Sequence, residues 1–173
     1  EAMAVMANGG RVLLTRDGGS IVMDQDGVEA IELQALGGAD SISVGDLSGT
    51  DLQQLTLDLR GPGGGADGAA DSVALLATAA DEVITVTDGG GLVQVSGLPW
   101  SVQVRHLDAG LDRLHIDARA GNDVIDATAA QLPLQLSGGD GADTLLAGNG
   151  ADSVAGGRGN DVALLGAGDD RFT

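Results

Sequence analysis

Residues 138–173 read GGDGADTLL (138–146), AGNGADSVA (147–155), GGRGNDVAL (156–164) and LGAGDDRFT (165–173), four consecutive nine-residue units in one register. Glycine returns at the second and fourth positions of every unit, as Gly139 and Gly141, Gly148 and Gly150, Gly157 and Gly159, and Gly166 and Gly168. Aspartate holds every sixth position: Asp143, Asp152, Asp161 and Asp170. Each unit thus spells a six-residue turn followed by three residues of strand, whose middle position is Leu145, Val154, Ala163 or Phe172. The units fit the pattern G-G-x-G-x-D-x-U-x, and four tandem copies mark a repeat architecture. An acidic disordered linker could share this composition, but it would not keep an apolar residue two places after every Asp.

The spacing follows from the chemistry of a hard divalent cation. Calcium (Ca2+) takes six to eight oxygens from carboxylates and main-chain carbonyls, so a turn that binds it must bend its backbone inward. Glycine reaches the conformations that this bend requires. Successive units form opposite sides of a flattened coil, so the turns that stack on one side are two repeats apart. That pairs Asp143 with Asp161, and Asp152 with Asp170. Stacked strands lie about 4.8 Å apart, so one ion can draw on both turns of a pair. A degenerate fifth unit, ARAGNDVID (118–126), keeps Gly121, Asp123 and Ile125 but carries Ala118 and Arg119 in place of glycine. Asp123 lies 20 residues before Asp143, close to one 18-residue coil, and a slightly long turn would place it under Asp143 as a third, weaker site. The candidate metal-site residues are these five aspartates and the eight repeat glycines.

On these units, the chain resembles the hemolysin-type calcium-binding repeats of the RTX proteins, a family of bacterial secreted proteins. The resemblance implies a right-handed parallel β-roll that folds on calcium binding outside the cell. It also implies type I secretion, which passes unfolded chains, and a secreted or cell-surface location. The segments GGADSISVGDLSGTDLQQLTLDL and ANGGRVLLTRDGGSIVMDQDGVEAIEL are similar to a module that recurs beside the nonapeptides in large RTX proteins. Because the chain stops within the strand of a repeat, it is expected to be a fragment of a longer protein.

Composition agrees. The net charge is −18, with 26 acids against 8 bases, and 22 of the acids are Asp. That balance argues against nucleic acid and against an anionic membrane surface. No stretch is long enough for a transmembrane helix, and EAMAVMANGG lacks the basic start and apolar run of a signal peptide. Cysteine is absent, which excludes disulfides and thiolate zinc and leaves bound metal as the available staple. Only Trp100 and Phe172 are aromatic. The core is therefore expected to be stacked Val, Leu, Ile and Ala.

Residues 1–117 also read as β, with short alternating segments recurring at close intervals: RVLLT (11–15), SIVMD (20–24), VEAIEL (28–33), SISV (41–44), QQLTLDL (53–59), DSVALL (71–76), DEVITVT (81–87), LVQVS (92–96) and WSVQV (100–104). IELQALGGADSISV (31–44) aligns without gaps to LHIDARAGNDVIDA (114–127), laying Asp40 on Asp123. The fold expected is all-β: an irregular β-helical part over 1–117 running into a calcium-binding β-roll over 118–173 as one continuous coil. Two stretches, RVLLTRDGGSIVMD and VITVTDGGGLVQV, carry Gly-rich turns between alternating strands and can form antiparallel hairpins. GPGGGADGAAD (61–71) reads as a mobile loop.

No catalytic constellation is apparent. His106 and His115 lie near Asp108 and Asp117, but alternation turns His115 outward, and both read as surface histidines. Trp100, after Pro99, reads as the filler of a corner. Asp40, Asp71 and Asp81 each precede a strand and read as plain turn residues. The function expected is a non-enzymatic calcium-binding folding module whose partners are calcium ions and neighbouring repeat modules or an extracellular ligand. The alternatives are an adhesin or matrix module and, last, a polysaccharide-acting β-helix enzyme, for which aromatics are too scarce.

Overall fold

The computed structural model describes residues 1–173 and contains seventeen strands and no helix. In one sheet of nine strands the spatial order is β17 (Arg171–Phe172), β15 (Ser153–Arg158), β13 (Leu134–Asp140), β11 (Arg113–Asp117), β7 (Ser72–Leu76), β5 (Ser41–Val44), β1 (Ala2–Asn8), β2 (Arg11–Arg16) and β3 (Ile21–Gln25), the numbers following the chain. The other has eight: β16 (Val162–Leu164), β14 (Thr144–Leu146), β12 (Val124–Ala129), β8 (Val83–Gly89), β9 (Leu92–Ser96), β10 (Ser101–Arg105), β6 (Gln54–Asp58) and β4 (Ala30–Gln34). From β4 to β8 and again from β10 to β17, each strand lies in the opposite sheet from the one before it. Strands that become neighbours this way pair in parallel, as β5 with β7, β11 with β13 and β12 with β14. Both sheets draw strands from before and after residue 117.

Register follows the repeat length. Leu136 pairs with Val154, Leu145 with Ala163, and Val154 with Phe172, each a step of 18 residues. Ile125 pairs with Leu145 and Leu114 with Leu134, steps of 20, which is the slightly long coil expected between Asp123 and Asp143. Earlier steps are longer still. Ile84 pairs with Ile125 and Val73 with Leu114, because β8, β9 and β10 form an antiparallel meander that delays the return. A second meander, β1 to β3, starts the chain. Both expected hairpins are therefore present, and the sheets are mixed rather than purely parallel. β1 is a strand that the pattern AMAVMAN did not announce.

Inward residues from the two sheets form one cluster of 35 buried apolar side chains. It is aliphatic apart from Met3 and Trp100, the latter 2% exposed and filling the corner between β9 and β10. Cover thins toward the last strands. Ala163 is only partly buried, and Phe172, on the edge strand β17, is 52% exposed despite its inward position. The 61–71 segment makes a compact turn in which Gly61 N–H donates to Gly65 O. Asp67, beside it, accepts from Gly38 N–H at 2.6 Å. His115 points outward between the buried Leu114 and Ile116, as alternation requires. His106 differs from its expected surface role. It adopts a φ of 60° and places Nδ1 2.7 Å from Oδ1 of the buried Asp58, not beside Asp108.

Candidate metal centre

Alternation between sheets sends the six-residue turns to two opposite edges. The turns before β8, β12, β14 and β16 carry Glu82, Asp123, Asp143 and Asp161 as their last residues. The first three of these give their peptide N–H to the next carboxylate along. Glu82 N–H meets Asp123 Oδ1 at 2.7 Å, Asp123 N–H meets Asp143 Oδ1 at 2.9 Å, and Asp143 N–H meets Asp161 Oδ1 at 3.1 Å. On the other edge, Asp152 N–H meets Asp170 Oδ1 at 2.9 Å. Thus Asp143 lies against Asp161, Asp152 against Asp170, and Asp123 against Asp143, the three stackings drawn from the repeat length.

The second edge holds a ladder that sequence reasoning missed. Asp40 N–H donates to Asp71 Oδ1 at 2.8 Å and Asp71 N–H to Asp112 Oδ1 at 2.9 Å. Asp40, Asp71 and Asp112 are all buried, so Asp40 and Asp71 are not plain exposed turn residues. The local match of Asp40 with Asp123 is real, but the two occupy opposite edges. At Pro133 the ladder skips a rung, since proline has no N–H to give, and Leu134 N–H caps Asp152 Oδ1 instead, at 2.8 Å. Asp81 stands off the ladder. It accepts from Asn122 N–H at 2.7 Å, and Glu82 takes the rung.

The turns at 138–143 and 156–161 share a backbone. Gly139 and Gly141 have φ of 106° and 156°, and Gly157 and Gly159 have 103° and 134°. A Cβ on Gly159 would strike the carbonyl oxygen of Gly141, so the position admits only glycine for both conformational and spatial reasons. The degenerate turn before β12 keeps this shape. Gly121 has a φ of 132°, and Arg119 is held at 72°, a left-handed conformation that costs a non-glycine residue roughly 1–2 kcal/mol. Gly148 and Gly150 are not left-handed, but they too sit against main-chain oxygens, those of Ala130 and Leu132.

Asp123, Asp143 and Asp152 each use Oδ1 for a backbone N–H and leave Oδ2 over. Oδ2 of Asp123, Asp143 and Asp152 is buried without any hydrogen-bond partner. Such a group ordinarily finds a partner or costs the fold several kcal/mol. A Cβ at Gly138 would meet both Asp143 Oδ2 and, at 2.6 Å, the carbonyl oxygen of Gly156 from the next turn. A free carboxylate oxygen and a carbonyl oxygen therefore converge between turns 138–143 and 156–161 with no donor between them. Burial pushes the Asp123 carboxyl up to about 6, reinforced by the neighbouring carboxylates of Glu82 and Asp143 and opposed by the Glu82 N–H bond. Burial also raises Asp152, with Asp170 adding repulsion. Nowhere do three carboxylate or imidazole side chains gather at one point, so a cation here would take two carboxylates and complete its shell with carbonyls. This donor set fits calcium, which is all-oxygen and tolerant of irregular geometry.

Stacked turns with gaps between buried carboxylates and carbonyls define a class of turn-and-strand repeat suited to hard cations. Residues 136–172 match the family model of the RTX calcium-binding nonapeptide repeat, in four copies, so this segment is an array of such repeats and calcium is its implied ligand. Repeats of this family are generally structural rather than catalytic, and the proteins that carry them are typically secreted. The match leaves residues 1–135 outside it. No curated protein and no solved structure matches the chain significantly. No helix is long and apolar enough to cross a membrane.

Proposed function

We propose that the chain is a calcium-dependent structural module of a secreted bacterial RTX protein, a right-handed β-roll over 118–173 continuous with the irregular β part over 1–117. The observation that carries this reading is the set of buried, unpartnered Oδ2 atoms on Asp123, Asp143 and Asp152. Asp143 with Asp161 and Asp152 with Asp170 hold one ion each, and Asp123 with Asp143 a third. Bound calcium supplies the positive charge that these gaps between rungs lack. The chain's own residues do the rest. The glycines bring carbonyls inward, the ladder N–H groups fix each carboxylate through Oδ1, and β12 to β17 set the spacing between rungs. In the calcium-poor cytosol the carboxylates repel and the repeats stay open for export. Extracellular modules bind calcium at about 10⁻⁴ to 10⁻³ M, so folding follows export.

Saturating calcium should raise the thermal midpoint of the full chain, because ligand at 100 times its Kd adds about 2.7 kcal/mol per independent site. Magnesium, which demands tight octahedral geometry, should add far less. Equal midpoints in calcium and in chelator would overturn the proposal.

A further inference from the structure

The ladder on the edge of the eight-stranded sheet continues beyond the repeats. Turn 77–82, with the sequence ATAADE, precedes β8, which pairs with β12 so that Val83 faces Val124. Glu82 therefore occupies the rung above Asp123, 41 residues away in sequence, and its N–H caps Asp123 Oδ1 at 2.7 Å. Glu82 is 7% exposed and Asp123 1%. The Thr78 hydroxyl holds Glu82 Oε1, whereas Oε2 is buried without a partner, as is Asp123 Oδ2. No basic side chain forms an ion pair with either carboxylate. Arg119, on turn 118–123, donates to the Ala77 carbonyl at 3.5 Å and to neither carboxylate. The Ala80 carbonyl oxygen lies where a Cβ on Gly121 would be, so main-chain oxygen reaches the second turn here as it does between the glycine repeats.

Two buried carboxylates on adjacent rungs, each with a free oxygen and no counter-charge, cost the fold several kcal/mol unless something positive lies between them. We propose that turns 77–82 and 118–123 form a further calcium site, ligated by the carboxylates of Glu82 and Asp123 and by main-chain carbonyls, with Thr78 as the positioning residue for Glu82. The site lies outside the matched repeats and ties β8, and through it the meander, to the first coil of the roll. It rests on the reading that the glycine-repeat turns bind calcium.

Calorimetric titration of the chelator-stripped full chain with calcium chloride tests it, using Glu82→Gln and Asp161→Asn side by side. Glu82→Gln should bind one ion fewer than the parent, with the remaining sites kept, and Asp161→Asn should lose an ion at the other end of the ladder. If Glu82→Gln binds the full number at unchanged affinity while Asp161→Asn loses an ion, the gap holds a shared proton and the proposal is wrong, though the repeats still bind calcium. If neither variant loses an ion, the calcium reading of the whole ladder fails with it. Should Glu82→Gln not fold, Thr78→Val decides, because it keeps both carboxylates and removes only the hydroxyl. Loss of such a supporting contact costs about 10-fold or more in affinity at one site, and unchanged affinity at every site overturns the proposal.

Discussion

In chelator, amide hydrogens beyond residue 137 should exchange at close to free-peptide rates, while a protected set persists before residue 117. Strands β14, β16 and β17 have only three, three and two residues. Their outer and end side chains Val162, Leu164 and Phe172 are more than half exposed. Fixing each backbone residue costs roughly 1–2 kcal/mol, more at glycine, and few apolar contacts offset that cost here. The earlier strands differ. Ile42, Leu55, Leu57, Leu75 and Ile84 are almost fully buried, and two meanders pair locally. Local stability follows such differences in burial. Hydrogen exchange read by mass spectrometry separates the two segments directly, and equal protection on both sides of residue 137 would refute this division.

Asp143→Ala should abolish two calcium sites, where Asp170→Ala abolishes one. Asp143 stands between Asp123 and Asp161 on its edge, giving its N–H to one and receiving the N–H of the other. Its loss opens both gaps and leaves the Asp123 N–H buried without an acceptor, a cost of about 1–3 kcal/mol in its own right. Asp170, on the last turn, serves only the gap to Asp152. Because ligation and folding are one equilibrium in such sites, calcium stoichiometry and the circular dichroism of the repeats should fall together. His115→Ala, on the outward face of β11, is the control. Asp108 is not suitable for that purpose, since its N–H caps Asp112 Oδ2 within a ladder turn. If Asp143→Ala and Asp170→Ala lose the same number of ions, the stacking of Asp123 beneath Asp143 does not create a site.

The parts of this architecture that could be read from sequence are those where local chemistry repeats at a constant step. Gly-x-Gly-x-Asp spacing announced the turns from residue 138 onward, and the 20-residue interval placed Asp123 beneath Asp143. Alternation found strands β2 to β10, and glycine-rich turns marked both meanders. Where the step varies, the signal fails. Between β7 and β11, and between β8 and β12, partners lie 41 residues apart, because the meander is inserted there, so no periodicity links Asp71 to Asp112 or Glu82 to Asp123. The turn ATAADE offers neither glycine nor a sixth-position Asp, and its own Asp81 drew attention to the wrong carboxylate. Asp112 follows LDAGL, which lacks the glycine pair. In each case the rung is set by strand pairing at long range, which no local pattern encodes. The partner of His106, Asp58, lies 48 residues away and was hidden for the same reason.

On the proposed function, calcium lies between stacked carboxylates on the edges of the two sheets. Anomalous difference density from a crystal of the full chain grown with calcium tests it most directly. Peaks are expected between Asp143 and Asp161, between Asp152 and Asp170, and between Asp123 and Asp143, each near two carboxylates and several carbonyls. A well-ordered crystal from calcium with no peak between those rungs, and with each Oδ2 hydrogen-bonded elsewhere, would contradict it.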